Sequence, residues 1–303
     1  MTQLTTGIVI STHVNTGREN IGDILSAEAI AKLLSRKSKI FILPRDAGVS
    51  KYLHVIYGGG GMIRPNFFVR EVYGDYLLRK KNDYEIYGVG LNCDLLDPLF
   101  TRNDLSSLHD WIENANKITV RDILTKNFIE DKLKLKCLVA PCPTYTVLHD
   151  SLDHKTEKIL FRIGITASFG HTATSRRFLS QTKKLIRDIA AKVGVQQVSI
   201  ICHDEDDYRF SKKNFKGGFN ICRPKTFTDV SSAYSKCESI LTFRAHGVIF
   251  AAAVNRPCSP VIFSNKLKSL YEYHYQSSLI RLNFDARTHL KHFSRAVMPR
   301  KLD

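Results

Sequence analysis

Several features that define whole classes of protein are missing from this sequence. No apolar run approaches the roughly 18 residues that a membrane-spanning helix needs, and the segment MTQLTTGIVISTHVN has no basic region followed by a long apolar stretch. The seven cysteines form no CxxC pair and no framework typical of a small secreted scaffold. We therefore expect a cytoplasmic protein whose thiols are reduced and mostly buried.

Acidic residues are also scarce, because 29 Asp and Glu stand against 45 Lys and Arg, a formal net charge of +16. Such a charge attracts polyanions, acidic sugars, phosphorylated small molecules or an anionic membrane surface. The cations are scattered, and the sequence contains no zinc finger, no RNA-binding aromatic motif and no basic heptad array. We therefore favour phosphorylated or carboxylated small molecules over nucleic acid as ligands.

Short β-branched apolar runs alternate with segments of helical periodicity, which is typical of an α/β protein with parallel sheets. In the first half the predicted strands are 7–12, 39–43, 54–61, 84–91, 117–120 and 136–143, and the predicted helices are 22–36, 66–81, 104–115 and 122–132. In the second half the predicted strands are 158–168, 197–202, 217–222, 239–243 and 259–264, and the predicted helices are 175–194, 226–237 and one that begins at 246. The polar segment 149–158 lacks periodicity and connects the halves. We predict one Rossmann-like domain over residues 1–150 and a second over 151–303.

Ligands of parallel sheets bind outside the carboxyl ends of the strands, so residues that follow predicted strands are the candidates for function. In NTGRENIGD, the residues Asn20, Gly22 and Asp23 lead into a helix whose free amides can hold an anion or a substrate hydroxyl. A simple helix cap at Asn20 or Asp23 is an equally good interpretation.

Four consecutive glycines follow the predicted strand at 54–61, and we take Gly59, Gly60 and Gly61 as candidates for ligand contact. Such a run tolerates positive φ and lets a ligand or a neighbouring backbone approach closely. It is neither a Walker loop, since no Lys-Ser/Thr follows, nor a complete dinucleotide fingerprint. A tight turn without a ligand is the alternative.

Two further strand ends carry arginine. Arg121 ends the strand in ITVRD, where a guanidinium can contact a carboxylate or phosphate in a bidentate manner, and Asp122 is best interpreted as a helix cap. In FRAHG, Arg244 offers a second fork for an anion, while the imidazole of His246 can give or take a proton near neutral pH. A guanidinium is rarely buried without a partner, so we expect something anionic beside these residues.

With these groups in this order, the sequence resembles the polysaccharide pyruvyl transferase family. The matching pieces are NIGD, the glycine run after a strand, GVGL, VRD, and a late R-x-H followed by small residues, RP and VIFSNK. They span residues 20 to 266, and their order and spacing make the combination specific, although each piece alone is weak.

The resemblance implies both a fold and a reaction. Members of the family are similar to GT-B glycosyltransferases, with two Rossmann-like domains that face each other across a cleft. They transfer a pyruvyl group from phosphoenolpyruvate to two hydroxyls of a sugar, forming a cyclic ketal in surface polysaccharides such as capsule and exopolysaccharide. The resemblance also implies that Arg121, Arg244 and His246 hold the donor and serve the chemistry. It places Lys266 where it can touch phosphate, with a solvated lysine as the equally good alternative.

This reaction needs no redox cofactor, and phosphoenolpyruvate would be the donor substrate. We expect His246 to protonate the methylene carbon of the donor as a general acid. His171, in a loop after a strand, is a candidate for contact with the acceptor, with plain exposure as the alternative. We predict no metal site, because the acidic run HDEDD at 203–207 is better interpreted as a solvated loop or helix cap than as a cation ligand.

Two other functions stay open at this point. One is a GT-B-type glycosyltransferase that uses a nucleotide sugar, and the other is a non-catalytic module that binds anionic polysaccharide or a membrane surface through its charge. The expected acceptor is a sugar, either free or as a lipid-linked oligosaccharide. The basic tail at 287–301 is interpreted as a helix that packs on the first domain or, alternatively, as a peripheral contact with the inner face of the membrane.

Overall fold

The structure is a computed structural model that describes residues 5–9, 20–34, 39–43, 52, 54–65, 84–92, 100–150, 163–166, 176–261 and 265–275. The predicted helix at 66–81, the tail at 287–301, and most of the connection at 149–158 lie outside these residues. The chain divides into two compact units. One comprises Met1–Ser151 with Phe263–Tyr273, and the other comprises Leu152–Ile262 with His274–Asp303.

The first unit contains a six-stranded parallel sheet with the order β2-β1-β3-β4-β5-β6. Its strands are β1 (Thr5–Val9), β2 (Lys39–Leu43), β3 (His54–Gly58), β4 (Tyr84–Val89), β5 (Lys117–Val120) and β6 (Leu138–Val139). Its described helices are α1 (Ile21–Leu34), α2 (Arg102–Glu113), α3 (Ile123–Phe128), which continues as a π-helical turn over Ile129–Leu133, and α4 (Pro143–Asp150).

The second unit contains a five-stranded parallel sheet with the order β11-β10-β7-β8-β9. Its strands are β7 (Ile163–Thr166), β8 (Val198–Ile201), β9 (Asn220–Cys222), β10 (Ser239–Thr242) and β11 (Cys258–Pro260). Its helices are α5 (Arg176–Val193), α6 (Glu205–Asn214), α7 (Phe227–Ser235) and α8 (Ala245–Ala253). The helix α9 (Asn265–Tyr275) follows β11, and most of it belongs to the first unit. The predicted pair of parallel-sheet α/β domains is confirmed.

Three helices were not predicted from the sequence. The residues of α4 begin inside the stretch expected to be the last strand of the first half, and Pro143 is the first helical residue, a position that proline favours. The helices α6 and α9 are rich in charged and polar residues and give only a weak apolar pattern. Asp204 caps the start of α6. Contacts within the fold, rather than an apolar stripe, stabilise such helices.

The described cysteines form no disulfide with one another, and all but the partly exposed Cys222 are buried. Burial above all raises the pKa of the Cys137 thiol to about 11 and that of Cys202 to about 12. The expectation of mostly buried thiols is therefore confirmed for the described part of the chain. Among the described helices, none combines the length and the apolar character that a membrane span needs.

The core of the first unit is built around its single tryptophan. Trp111 of α2 is fully buried and packs edge-on against Tyr57, with ring centroids 5.4 Å apart. Tyr84 also packs edge-on against Tyr57 and donates a hydrogen bond from its hydroxyl to the Trp111 carbonyl at 2.5 Å. These three rings join α2 to β3 and β4. The candidate glycines 59–61 follow β3 directly.

We expect Trp111→Ala to lower the free energy of unfolding by about 3–5 kcal/mol, because it removes a large buried ring and leaves a cavity. Urea unfolding followed by circular dichroism measures this change. Leu138→Ala is the matched control, since Leu138 lies on the edge strand of the same sheet and is 66% exposed. This variant should stay within about 0.5 kcal/mol of the wild type. Equal losses in the two variants would contradict the assigned core.

Candidate active site

The glycine run after β3 is explained by neighbours within the first unit. Gly59 and Gly60 have φ near +73° and +74°, in the left-handed region that favours glycine. A Cβ at Gly59 would lie 2.3 Å from the Ser26 side chain, and one at Gly61 would lie 3.0 Å from the Asn92 side chain. The run therefore lets α1 and the segment after β4 approach closely. A ligand contact at Gly59, Gly60 or Gly61 stays a prediction.

The loop after β4 lies between this glycine run and Arg121. The amide of Gly90 donates to the Gly60 carbonyl at 3.0 Å, and the Arg121 amide donates to the Val89 carbonyl at 3.0 Å. A larger residue at position 90 would clash with the guanidinium, because a Cβ added to Gly90 would lie 2.3 Å from Arg121 Nε. The strand ends of β3, β4 and β5 are thus joined at one edge of the sheet.

Arg121 itself is the unusual feature of this edge. Its side chain is 1% exposed, and its Nε and Nη1 atoms are buried without a hydrogen-bond partner among the described residues. The nearest carboxylate oxygen that the structure describes is Oδ2 of Asp122, 3.8 Å from Nε, too far for a hydrogen bond. A buried guanidinium with unused donors is energetically costly unless an anion completes it.

Asp122 caps α3, as the sequence indicated. Its Oδ1 accepts from the amide of Thr125 at 2.8 Å and from the Thr125 hydroxyl at 2.9 Å. That hydroxyl in turn accepts from the Leu91 amide at 2.8 Å, so the cap also fixes the loop after β4. Oδ2 of Asp122 makes no hydrogen bond to a described residue and faces Nε of Arg121.

Lys266 reaches the same edge from the far end of the sequence. It lies in the first turn of α9 and donates from Nζ to Oδ1 of Asn92 at 2.7 Å. Further along α9, the Ser269 hydroxyl accepts from the Leu124 amide at 3.1 Å. The structure therefore brings Lys266 to the loop that also carries Gly90, beside Arg121.

The group after β1 is a helix start. Oδ1 of Asn20 accepts from the amide of Gly22 at 2.9 Å, and the Asn20 carbonyl accepts from Asp23 at 3.0 Å. The hydrogen bond from the Gly22 amide agrees with the interpretation of Asn20 as a helix cap. A substrate contact by Asn20, Gly22 or Asp23 stays a prediction. His171 lies outside the described residues.

In the second unit, Arg244 has the opposite environment to Arg121. It is 7% exposed and donates from Nη2 to Oδ2 of both Asp204 and Asp207. Burial lowers the pKa of this guanidinium most, but the charges of Asp207 and Asp204 together with their hydrogen bonds outweigh it, so the pKa lies above its ordinary value. The expected anion beside Arg244 is present, and the protein supplies it.

His246 lies two residues after Arg244, in the first turn of α8. It is 6% exposed, and its ring centroid lies 5.8 Å from that of Phe250, one turn further along the helix. The glycine that follows is required by packing: a Cβ at Gly247 would lie 2.0 Å from the Thr242 hydroxyl and 2.7 Å from that of Thr166. The first turn of α8 therefore rests directly on the ends of β7 and β10.

The role of Asp204 and Asp207 was missed in the sequence. The HDEDD run is a helix cap, as expected, because Asp204 accepts from the Asp207 amide at 2.8 Å at the start of α6. The cation that the structure places against Asp204 and Asp207 is the guanidinium of Arg244. The sequence does contain a signal for this pairing. Two acidic residues three apart follow one predicted strand, and an arginine follows another predicted strand of the same half.

One group of side chains on α2 has ligand atoms close enough together to hold a metal ion. In the described residues, His109, Asp110 and Glu113 have ligand atoms within 4.8 Å of one another. They lie on the partly exposed surface of α2, which precedes β5, and not at a strand's carboxyl end.

Asp207→Asn should lower the free energy of unfolding by about 1.5–3 kcal/mol, because it removes one buried charge-assisted hydrogen bond from the Arg244 guanidinium. Thermal or urea unfolding measures the loss. The neighbouring Asp206 is exposed, so Asp206→Asn is a matched control that should change stability by less than about 0.5 kcal/mol. Equal stabilities of the two variants would contradict the buried ion cluster.

Solved structures share this two-domain fold at low sequence identity. A functionally uncharacterized protein from Klebsiella pneumoniae subsp. pneumoniae is similar with a TM-score of 0.52 and 13% identity, over 92% of this chain and 93% of that one. The UDP-N-acetylglucosamine 2-epimerase from Rickettsia bellii is similar with a TM-score of 0.53 and 9% identity, over 97% of both chains. The UDP-GlcNAc 2-epimerase from Methanocaldococcus jannaschii, in complex with UDP-GlcNAc and UDP, is similar with a TM-score of 0.51 and 10% identity, over 96% of this chain and 99% of that one. These likenesses confirm the GT-B-like fold class.

The sequence also matches a family model. No curated protein matches the sequence. The model described as polysaccharide pyruvyl transferase matches residues 20–265, which include the glycine run, Arg121, Arg244 and His246. The chain therefore belongs to the polysaccharide pyruvyl transferase family.

Proposed function

We propose that this protein transfers a pyruvyl group from phosphoenolpyruvate to two hydroxyls of a sugar, forming a cyclic ketal and releasing phosphate. The observation that carries the proposal is Arg121, a buried guanidinium with unused donors at the carboxyl end of β5. Family membership supplies the reaction class, since the family transfers pyruvyl groups in polysaccharide synthesis.

Phosphoenolpyruvate suits this edge of the first sheet because it carries a carboxylate and a phosphate on one small frame. A planar guanidinium can hold either group through two parallel hydrogen bonds. Lys266 adds a compact positive charge that is held at the neighbouring loop by Asn92. The net charge of +16 favours capture of such a dianion. We therefore assign donor binding to Arg121 with Lys266.

Arg244 has a different role in this proposal from the free anion fork expected from the sequence. With Asp204 and Asp207 it forms a cluster whose formal charge is −1, since one guanidinium faces two carboxylates. Such a cluster does not attract a dianion strongly. Arg244 instead anchors the start of α8 and thereby the position of His246.

The chemistry begins with proton transfer from His246 to the methylene carbon of the enol. The adjacent carbon becomes electron-deficient, and the first sugar hydroxyl adds to it and loses its proton. The bond from this carbon to the phosphate oxygen then breaks, and phosphate leaves with the electron pair. The second hydroxyl closes the ring as it loses its proton, so the two sugar protons balance those gained by carbon and phosphate.

The acceptor in this proposal is a sugar with two hydroxyls that can be bridged by one carbon. Both free and lipid-linked oligosaccharides are to be tested as acceptors, with phosphoenolpyruvate and with UDP-sugars as donors. Release of phosphate together with a pyruvyl mass gain on the sugar supports the proposal. Turnover of a UDP-sugar alone would overturn it in favour of a glycosyltransferase, and sugar binding without any turnover would favour a non-catalytic module.

Arg121→Ala should raise the KM for phosphoenolpyruvate by about 10- to 100-fold, because each charge-assisted hydrogen bond contributes about 1.5–3 kcal/mol. Steady-state kinetics of phosphate release measures this change. The matched control is Arg102→Ala, since Arg102 is exposed on α2 of the same unit. An unchanged KM in Arg121→Ala would contradict the assignment of the donor site.

His246→Gln should reduce kcat by about 10²- to 10⁴-fold, the usual contribution of general acid–base catalysis, and leave the Kd of phosphoenolpyruvate within about two-fold. Single-turnover kinetics and calorimetric titration separate these effects. His109→Gln changes a surface histidine of α2 and serves as the control. A kcat close to that of the wild type would exclude His246 as the proton donor.

A further inference from the structure

The two carboxylate oxygens of Asp122 have different surroundings. Oδ1 accepts from the amide of Thr125 at 2.8 Å and from the Thr125 hydroxyl at 2.9 Å. Oδ2 makes no hydrogen bond to a described residue and stays 3.8 Å from Nε of Arg121. A charge-assisted hydrogen bond between these two atoms needs a separation of about 2.8 Å, so a movement of about 1 Å would form one. The carboxylate therefore lies close to the guanidinium without bonding to it.

The Thr125 hydroxyl holds the carboxylate in this position. A carboxylate oxygen can only accept, so the hydroxyl donates its proton to Asp122. The hydroxyl oxygen in turn accepts from the amide of Leu91 at 2.8 Å, which fixes the hydroxyl to the loop after β4. Ser269 of α9 adds a weaker contact, with its hydroxyl 3.5 Å from Oδ1 of Asp122. A rotation that brings Oδ2 to Arg121 also moves Oδ1 and so weakens these bonds.

The buried arginine of the second unit shows the alternative arrangement. Asp204 caps α6 in the same way, because its Oδ1 accepts at 2.8 Å from the amide of Asp207, three positions later. An aspartate at this position offers no hydroxyl to the cap. Oδ2 of Asp204 and Oδ2 of Asp207 instead both accept from Nη2 of Arg244. The two sites therefore differ at the residue three positions after the capping aspartate, and they differ in whether that aspartate bonds to the arginine.

We propose that the Thr125 hydroxyl keeps the Asp122 carboxylate from bonding to Arg121 and so leaves the guanidinium free to bind an anionic ligand. Thr125 is fully buried and acts through Asp122, so it is a positioning residue for donor binding. Nε and Nη1 of Arg121 keep the unused donors that the carboxylate or phosphate of phosphoenolpyruvate can accept. The identity of this anion rests on the proposed function, whereas the restraint on Asp122 does not.

The restraint is tested without any ligand. Thr125→Val nearly keeps the shape of the side chain and removes the hydroxyl. A crystal structure of this variant should show Oδ2 of Asp122 within about 3.2 Å of Nε of Arg121. Thr125→Ser keeps a hydroxyl and should retain the separation of 3.8 Å. A Thr125→Val variant that also retains this separation would overturn the proposal.

Donor binding separates this role from a merely structural one. Thr125→Val should raise the Kd of phosphoenolpyruvate by about 10- to 100-fold with kcat within about two-fold, because the donor must first break a charge-assisted hydrogen bond. Asp122→Asn should instead lower the Kd by about 3- to 10-fold, since asparagine still caps the helix and no longer repels the anion. The double variant should bind like Asp122→Asn alone, because no carboxylate is left to compete. Calorimetric titration and steady-state kinetics measure these constants.

Ser106→Ala is the matched control, because it removes a hydroxyl from an exposed position of α2 and should leave the Kd unchanged. A double variant that binds as weakly as Thr125→Val would show that the hydroxyl acts on binding by a route other than Asp122, and this would contradict the proposal. If Thr125→Val does not fold, Asp122→Asn decides: a lower Kd supports the proposal, and an unchanged or higher Kd contradicts it.

The failure of this inference differs from the failure of the proposed function. A wild-type protein that neither binds nor turns over phosphoenolpyruvate would overturn the proposed function, and the crystal structures of Thr125→Val and Thr125→Ser would still decide whether the hydroxyl restrains Asp122. A wild type that uses phosphoenolpyruvate, together with an unchanged Kd in a folded Thr125→Val variant, would overturn the positioning role alone.

Discussion

A charged guanidinium buried at the end of a β-strand must face negative charge, and this constraint organises both halves of the molecule. Water cannot reach these groups, so the compensating charge comes from the protein or from a ligand. Arg244 is compensated by Asp204 and Asp207. Arg121 has only Asp122 at 3.8 Å, and two of its nitrogens make no hydrogen bond among the described residues. The two arginines therefore differ in how fully the described residues supply that negative charge.

The parallel sheets explain why both arginines stand at strand ends. In each unit all strands point the same way, so their carboxyl ends and the helix starts that follow them form one edge. At this edge of the first unit, Gly90 leaves room for the guanidinium of Arg121. At that of the second, Gly247 lets α8 rest on the hydroxyls of Thr166 and Thr242. At both edges a glycine thus lets polar side chains lie directly against the backbone.

The sequence predicted the alternation of strands and helices well, because buried strands of a parallel sheet are short, apolar and β-branched. The predicted strands 39–43 and 117–120 match β2 and β5 in both bounds. Helices without an apolar stripe were missed, and α6 is the instructive case, since its capping Asp204, acidic first turn and basic last turn are a helix signal independent of periodicity. Pairings between distant residues, such as Lys266 with Asn92 or Arg244 with Asp207, depend on strand order, which one sequence does not encode in any local pattern.

The central claim is that the donor's anionic group completes the hydrogen bonding of Arg121, while Arg244 keeps its carboxylate partners. A crystal structure of the protein with phosphoenolpyruvate tests it most directly. The account predicts a carboxylate or phosphate oxygen about 3 Å from Nε or Nη1 of Arg121, with Arg244 still bonded to Asp204 and Asp207. Phosphoenolpyruvate bound away from Arg121, or an Arg244 guanidinium that leaves its carboxylates to hold the donor, would contradict it.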